Sequence, residues 1–459
     1  MERVGRRGML RAGVVATGLL GGAAVVAETT ASAATQPAVG DGFISVLDHG
    51  AVGDGVTDDT AAIQSTLDAA RTTGACKGVY LPPGRRYKVT DELVASGMTD
   101  FVISAVGATL ALIGAAASGS GAKSVLHLTN CQRFRVLGLA VYDTDRTQAY
   151  NGVRVSRSSG GVLDGVSVRD VRWVGITVFD GTAGLSTDIT ITGCDVRGTR
   201  FGVSTNGTDV RIADNHVAMY WPSTAEAQAK GGVWSTPSDY YDGVMVLTGA
   251  DRTVVAGNTI TECGQAGVYT QNCANLVIAD NTVTGCQLRG IEVDGGTGTA
   301  VGVSITGNVS THNVGQINIV RARDVTVVGN RTENPDPARA TSCIAINVGS
   351  TKAVVVGNHA RQAHPTFPAV YVDPAATDVT LAWNSVDAAV AYQAPADTVT
   401  IRRSGPGQIH TNAKLIAAGG IGVGNSVPAT TPGAVVRKIE VFSATGASLG
   451  WIPVYSTIS

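Results

Sequence analysis

Short apolar strands with alternating polar positions recur along most of this chain. Each is closed by Gly-Asn or Asp-Asn, and each restarts 22 to 28 residues after the last. The series reads Val-Val-Ala-Gly-Asn258, Val-Ile-Ala-Asp-Asn281, Ser-Ile-Thr-Gly-Asn308, Thr-Val-Val-Gly-Asn330, Val-Val-Val-Gly-Asn358 and Leu-Ala-Trp-Asn384. Arg-Ile-Ala-Asp-Asn215 belongs to it, 43 residues before Asn258. A unit this short cannot bury its own apolar face, so a fixed period of this length predicts a solenoid of stacked coils. Asn suits a corner because it tolerates the left-handed conformation and its amide can bond the amide one coil away. The column is therefore expected to be scaffold.

A second strand per repeat aligns on the residue that opens it. The aligned strands are Gly152-Val-Arg-Val-Ser, Gly175-Ile-Thr-Val-Phe, Gly202-Val-Ser-Thr-Asn, Gly243-Val-Met-Val-Leu and Gly267-Val-Tyr-Thr-Gln. They continue with Gly290-Ile-Glu-Val-Asp, Gln316-Ile-Asn-Ile-Val, Cys343-Ile-Ala-Ile-Asn, Ala369-Val-Tyr-Val-Asp and Ala389-Val-Ala-Tyr-Gln. Period-2 alternation sends the apolar residues inward and the others to solvent. On this reading the coils run from about Phe101 to Arg403. One repeat is interrupted between Met219 and Gly243 by an insertion with two of the five tryptophans and three of the eleven tyrosines. Such insertions usually emerge on one face, often the binding face.

Composition agrees with strands and turns: of 459 residues 44% are hydrophobic, 15% charged and 5% aromatic, with 58 glycines. Gly5-Arg6-Arg7-Gly8-Met9-Leu10-Arg11, a Gly/Ala/Val-rich run and Ala31-Ser32-Ala33 resemble a twin-arginine export signal, an ordinary secretory signal being the alternative. The run is shorter than the roughly 20 apolar residues of a membrane span. Without residues 1–33 the net charge moves from −2 to −4, which favours neither nucleic acid nor an anionic membrane. The seven cysteines show no zinc spacing. Cys263 and Cys286 are expected one coil apart, as a ladder of buried thiols rather than a disulfide, because a twin-arginine substrate folds in a reducing compartment.

Val46 to Thr60 reads Val-Leu-Asp-His-Gly-Ala-Val-Gly-Asp-Gly-Val-Thr-Asp-Asp-Thr. Ala61, Ile63, Leu67 and Ala70 follow at helical spacing, then Gly78-Val-Tyr-Leu-Pro-Pro-Gly84. Asp58 or Asp59 is placed to cap the helix, and capping and turn formation explain the acidic residues better than calcium. This segment resembles the N-terminal signature of the pectate-lyase superfamily, with His49 where an aromatic is usual. The resemblance implies an all-β, right-handed, single-stranded parallel β-helix with an N-terminal capping helix. It also implies a range of activities: polysaccharide lyases, glycoside hydrolases, uronan epimerases and phage tailspikes. It covers roughly residues 44–400. The catalytic motifs of polygalacturonases and of secreted alginate epimerases are missing. The expected organisation is a signal peptide at 1–33, a flexible start at 34–43, the β-helix with its cap at 44–404 and a small β-rich module at 405–459. That module, with strand-like runs at 435–442 and 449–455, would serve as a terminal cap or for assembly into a homo-oligomer.

The coil alignment collects one constellation. Tyr269 and Gln271, Glu292 and Asp294, then Asn318 point outward from successive coils, with Arg321 just beyond and Asn206 and Met245 before. Coils stack roughly 4.8 Å apart and i, i+2 side chains lie about 6.5–7 Å apart. Paired carboxylates at that separation suit acid and base roles around a glycosidic bond, with Glu292 and Asp294 the candidates. An eliminating lyase or C5-epimerase needs instead a base for the sugar proton and a cation for the carboxylate. Tyr269, Arg289 and Arg321 would serve, with acidic groups holding Ca²⁺. Trp221, Trp234, Tyr240, Tyr241 and Asp242 of the insertion, with Gln271, Arg289 and Asn318, are the candidates for contacting sugar.

Two function classes follow. One is a secreted enzyme that cleaves an extracellular polysaccharide as lyase or hydrolase, with epimerase as a variant. The other is a non-catalytic β-helix that binds glycan or builds a surface assembly. The export reading is checked by replacing Arg6 and Arg7 with Lys. Precursor should stay in the cytoplasm, because the pair is a receptor-read address and not a charge count; undiminished export of the double variant would assign the general secretory route.

Overall fold

The computed structural model describes residues 42–72, 77–116, 119, 122–143, 150–219 and 241–395, and the backbone of 399–405, 408–411, 435–442 and 448–455. The described chain winds through three sheets of 15, 13 and 12 strands, here called sheets I, II and III, and between the first and last turns each coil gives each sheet one strand. All pairing between coils is parallel, until Gln408–Thr411 turns back antiparallel on Val399–Gly405. A right-handed parallel β-helix results, as the period and the N-terminal motif predict.

Inward positions build the core as columns of like residues. In sheet III, Val153, Ile176, Val203, Val244, Val268, Ile291, Ile317, Ile344 and Val370 follow one another in register. All are at most 1% exposed. β-Branched side chains fill such a column because their stiff χ1 matches the pleat and each stacks on the copy below.

The asparagine column lies at the corner that follows sheet I. Asn258, Asn281, Asn308, Asn330 and Asn358 are buried and repeat the same bonds. The Oδ1 of Asn281 accepts from the backbone N–H of Asn258 (3.0 Å) and from its Nδ2 (2.9 Å). The Nδ2 of Asn281 donates to the carbonyl of Val255 (2.9 Å) and to Asn308 (2.9 Å). The chain of amides runs from Asn215 to Asn384, and at its start Oδ1 of Asn215 accepts from the N–H of Cys194 (2.9 Å). One expectation is corrected. The left-handed residue is the one before each Asn: Asp214, Gly257, Asp280, Gly307, Gly329, Gly357 and Trp383 have φ between 55° and 68°. The asparagines are chosen for their amides alone.

The first coil begins well before Phe101, since Phe43–Ser45 already pairs with Gly78–Tyr80. Within the Gly-Asp-Gly segment the acidic residues are occupied by turns. Buried Asp59 accepts from the N–H groups of Val52 (2.6 Å) and Gly53 (3.1 Å). Asp58 accepts from the N–H of Thr60 at the start of the helix Thr60–Thr72 (3.0 Å), and Asp54 from Val56 and Thr57 (2.8 and 2.7 Å). Gly53 has φ +68°, and a Cβ there would lie 2.8 Å from the Tyr87 ring. The helix buries Ile63, Leu67 and Ala70 against the first strands. Gln64 Nε2 donates to the carbonyl of Val94 (3.0 Å) while its Oε1 accepts from the Val94 N–H (2.8 Å), closing the open edge of sheet III.

The six described cysteines are free and buried, so Cys263 and Cys286 form the expected thiol ladder. Val435–Phe442 and Ser448–Tyr455 form an antiparallel hairpin. Among the described residues no helix is long and apolar enough to cross a membrane. Asn281→Ala strips a buried backbone N–H and two neighbouring amides of their partners, and should cost about 2–3 kcal/mol. Chemical denaturation of the two proteins measures it; an unchanged midpoint would show that the column carries no stability.

Candidate functional site

The ten strands aligned in the sequence all lie in sheet III, and their outward positions stack in register. Met245, Tyr269, Glu292 and Asn318 form one column, and Gln271 and Asp294 occupy successive positions in the next. The patch is thus assembled as the spacing predicts, with two exceptions. Met245 is only 8% exposed, and Asn206 is a buried corner residue that donates to the Asp180 carbonyl (2.8 Å) and accepts from its N–H (3.0 Å). Neither belongs to the polar patch.

Glu292 sits half-buried between Tyr269 and Asn318, whose Nδ2 donates to its Oε1 (2.9 Å). Burial pushes its carboxyl above the usual range, against the opposing pull of Asn318 and Arg289. Asn318 is fixed in turn by Asn347 Nδ2 donating to its Oδ1 (2.6 Å). Burial, then Asp294, Glu292 and Asp242, push the Tyr269 phenol up to about 12, and Gln271 donates to its oxygen (3.2 Å). Tyr269 is therefore a neutral phenol through the physiological range. Asp294 is engaged differently: Arg321 Nη2 contacts its Oδ1 at 2.6 Å and the Gly296 N–H donates to the same oxygen (2.8 Å). This pair removes Asp294 and Arg321 from the role of a free base and a free cation.

Asp242, at the end of the insertion, is the second carboxyl with a displaced pKa. It is 6% exposed, and burial and then Glu292 raise it to about 6, against the bond its Oδ1 accepts from the Ala266 N–H (2.9 Å). Register puts Asp242, Ala266 and Arg289 in the column just before the patch. Among the described residues Arg289 meets no carboxylate within ion-pair distance; its Nη1 donates to the Leu288 carbonyl (3.3 Å).

The patch lies between two recesses on the same sheet. Toward the N-terminus a pocket of about 230 Å³ is lined by Trp173, Phe179, Phe201, Arg154, Met245 and Leu247, among others. Beside it the Arg200 guanidinium lies over three rings, 4.5 Å from the centroid of Tyr241, 5.0 Å from Trp173 and 5.8 Å from Phe201. Toward the C-terminus a cleft of about 410 Å³ is bounded by Arg289, Asn318, Asn347, Phe367, Tyr371 and Gln393. The structure thus brings Tyr241, Asp242, Tyr269, Gln271, Arg289, Glu292, Asp294, Asn318 and Arg321 onto one face. Trp221, Trp234 and Tyr240 lie outside the described residues. Sequence reasoning missed Trp173, Arg200 and Phe201. They precede the aligned glycines Gly175 and Gly202 by one to two positions, and extending that alignment backward would have shown them. Among the described residues no group of three or more acidic, His or Cys side chains is gathered to hold a metal.

Comparison with known proteins agrees with this architecture. Residues 151–332 match the family described as right handed beta helix region, and residues 43–226 match rhamnogalacturonase A/epimerase, pectate lyase-like. A tail spike protein of Salmonella phage epsilon15 is 25% identical over 226 residues, 47% of this chain but only 20% of the tail spike's length. Mannuronan C5-epimerase AlgE1 of Azotobacter vinelandii is 56% identical over 46 residues, 10% of this chain and 3% of that protein. Among solved structures, Dettilon tailspike protein superposes with a TM-score of 0.61 at 20% identity, over 76% of this chain and 68% of that one. The A-module of the A. vinelandii epimerase AlgE4 superposes at 0.56 and 16% identity, over 77% and 97%. With the coil geometry, these matches show a right-handed parallel β-helix that is similar over residues 43–226 to the pectate lyase-like proteins of the rhamnogalacturonase A/epimerase type.

Proposed function

We propose that sheet III binds an extracellular polysaccharide and cleaves it by acid–base chemistry centred on Glu292. The observation that carries this reading is the pair of buried or half-buried carboxyls, Glu292 and Asp242, both raised, with Asp242 in the field of Glu292, beside a neutral phenol on the outward face. Titrating groups displaced toward neutrality in a recess are what general acid catalysis requires. Glu292 is the proton donor to the glycosidic oxygen, its charge favours the protonated form of Asp242, and Tyr269 and Asn318 hold the sugar by hydrogen bonds. Arg289 supplies the cation for an anionic sugar, and the Asp294–Arg321 pair borders the bound chain. Rings at Trp173, Phe201 and Tyr241 give stacking surface upstream. The mannuronan C5-epimerases among the relatives support a carbohydrate ligand, and the N-terminal segment supports export.

A binding-only surface is the second reading. The Asp294–Arg321 ion pair favours it, since it takes two charged groups of the patch out of acid–base use. Incubation with a panel of neutral and uronic polysaccharides separates the outcomes. New reducing ends report hydrolysis, an ultraviolet-absorbing unsaturated end reports elimination, and changed uronate stereochemistry at constant length reports epimerisation. Binding without any product would overturn the catalytic reading.

On a cleaved substrate, Glu292→Gln should lower turnover by about 10² to 10⁴ with an unchanged melting temperature, whereas Arg321→Ala should act mainly on KM. Equal rates in wild type and Glu292→Gln would place the chemistry on another face. Asp242 also predicts a pH dependence of stability. Its folded pKa of about 6 lies above the model-peptide value of 3.8, so its contribution is fully present below pH 4 and is lost as pH rises through 6. The difference is on the order of 3 kcal/mol. Denaturant midpoints at pH 4 and pH 8 should therefore diverge less in Asp242→Asn than in wild type.

A further inference from the structure

Five to seven coils before Glu292 on the same sheet, three side chains from successive coils meet in an order that the polysaccharide site does not use. Glu92 precedes the strand Leu93–Ser96, His127 lies within Ser124–Thr129, and Ser156 ends Asn151–Ser156. His127 Nε2 is 2.8 Å from Ser156 Oγ, and His127 Nδ1 is 3.5 Å from Glu92 Oε1. The Glu92 carboxylate is anchored from behind, since its Oε1 accepts from the N–H of Ser124 (2.8 Å). A carboxylate at Nδ1 selects the imidazole tautomer that leaves Nε2 free to take a proton from a hydroxyl. Strand alternation makes both His127 and Ser156 outward positions. The Ser156 hydroxyl also donates to Thr129 Oγ1 (3.0 Å), a bond it gives up when it turns its proton to His127, and Ser156 is 5% exposed. Asn130 lies alongside: its N–H donates to the Ser156 carbonyl (3.1 Å), and its exposed carboxamide is 3.4 Å from Thr129 Oγ1.

We propose that Glu92, His127 and Ser156 are a hydrolytic triad that removes short O-acyl groups from carbohydrate hydroxyls. Ser156 Oγ attacks the acyl carbon while His127 Nε2 takes its proton, and the Asn130 carboxamide donates to the developing oxyanion. The C–O bond to the sugar breaks, the sugar oxygen receives that proton, and the acyl group stays on Ser156. Water then attacks the acyl-serine through the same base, releasing the carboxylic acid and restoring the hydroxyl. Glu92 is the positioning residue, holding the ring and offsetting the imidazolium charge. The recessed hydroxyl limits the acyl group to a short one. That the alcohol is a sugar rests on the proposed polysaccharide ligand; ester cleavage itself does not.

The test uses the full chain with p-nitrophenyl acetate, a serine-directed fluorophosphonate probe and an O-acetylated polysaccharide. Expected are ester turnover, probe attached to the Ser156 peptide by mass spectrometry, and acetate release. Ser156→Ala should abolish labelling and lower ester turnover by about 10² to 10⁴, with the melting temperature kept. Glu92→Gln should slow labelling at an unchanged melting temperature, with Glu92→Asp restoring part of the rate. Glu292→Gln should leave ester turnover intact, so failure of the glycosidic reading and of this one are separable. A wild type that takes no label and turns over ester no faster than Ser156→Ala would overturn the proposal and leave the three residues as a hydrogen-bonded support. Turnover of the synthetic ester without acetate release would overturn its carbohydrate half.

Discussion

The in-register parallel pairing of each coil with the next is the constraint on which every other feature of this protein depends. A single coil has only two or three short strands and cannot bury the residues it turns inward, so it is stable only as part of a stack. Stacking also satisfies the backbone, because each strand donates to one neighbour and accepts from the other. The corners are the weak point of such a ladder, since there the backbone leaves the sheet. The amides from Asn215 to Asn384 solve this by repeating the coil-to-coil bond through the side chain, two bonds per step. A residue with positive φ before each Asn turns the chain, and the amide fastens the turn to its neighbour.

The same pairing makes chemistry on the outer face additive. A residue type placed at one outward position meets its counterparts at about 4.8 Å on the coils above and below. Glu292 owes its raised pKa to this arrangement: neighbouring coils shield it from water, and only Asn318 of the next coil and Arg289 of its own strand compensate. Asp294, two residues along the same strand, meets Arg321 instead and is neutralised. Two carboxylates of one strand are thus differentiated by what the next coil brings beside them. Glu92, His127 and Ser156 repeat the device with residues from three coils.

An endless ladder would also pair with other chains, and the first coil shows how that is prevented. Gln64 occupies the donor and acceptor of Val94 at the open edge, and the helix covers the apolar cross-section with Ile63, Leu67 and Ala70. The conspicuous acidic residues of the N-terminal motif belong to this closure. Asp59 ties down the loop, Asp58 fixes the start of the helix, and Asp54 forms a local turn.

The sequence by itself determined the solenoid, because period, alternation and turn residues are local properties that each repeat states again. It also determined the columns: once Gly267, Gly290 and Gln316 are aligned, Tyr269, Glu292 and Asn318 must stack. What only the tertiary structure decided is how each outward group is used. The spacing gives Glu292 and Asp294 equal claims to acid–base roles, and the distinction comes from Arg321 reaching Asp294 and from the burial of Glu292 beside Asn318. Trp173, Arg200 and Phe201 were illegible for a related reason. They lie at or just before the start of the strands, ahead of the glycines on which the alignment rests, and only their packing with one another and with Tyr241 shows that they meet. The exception at Asn206 is the same lesson: its place in the alignment is outward, but the corner turns its amide onto Asp180. Repetition fixes where a side chain starts, and long-range contacts between coils fix what it touches.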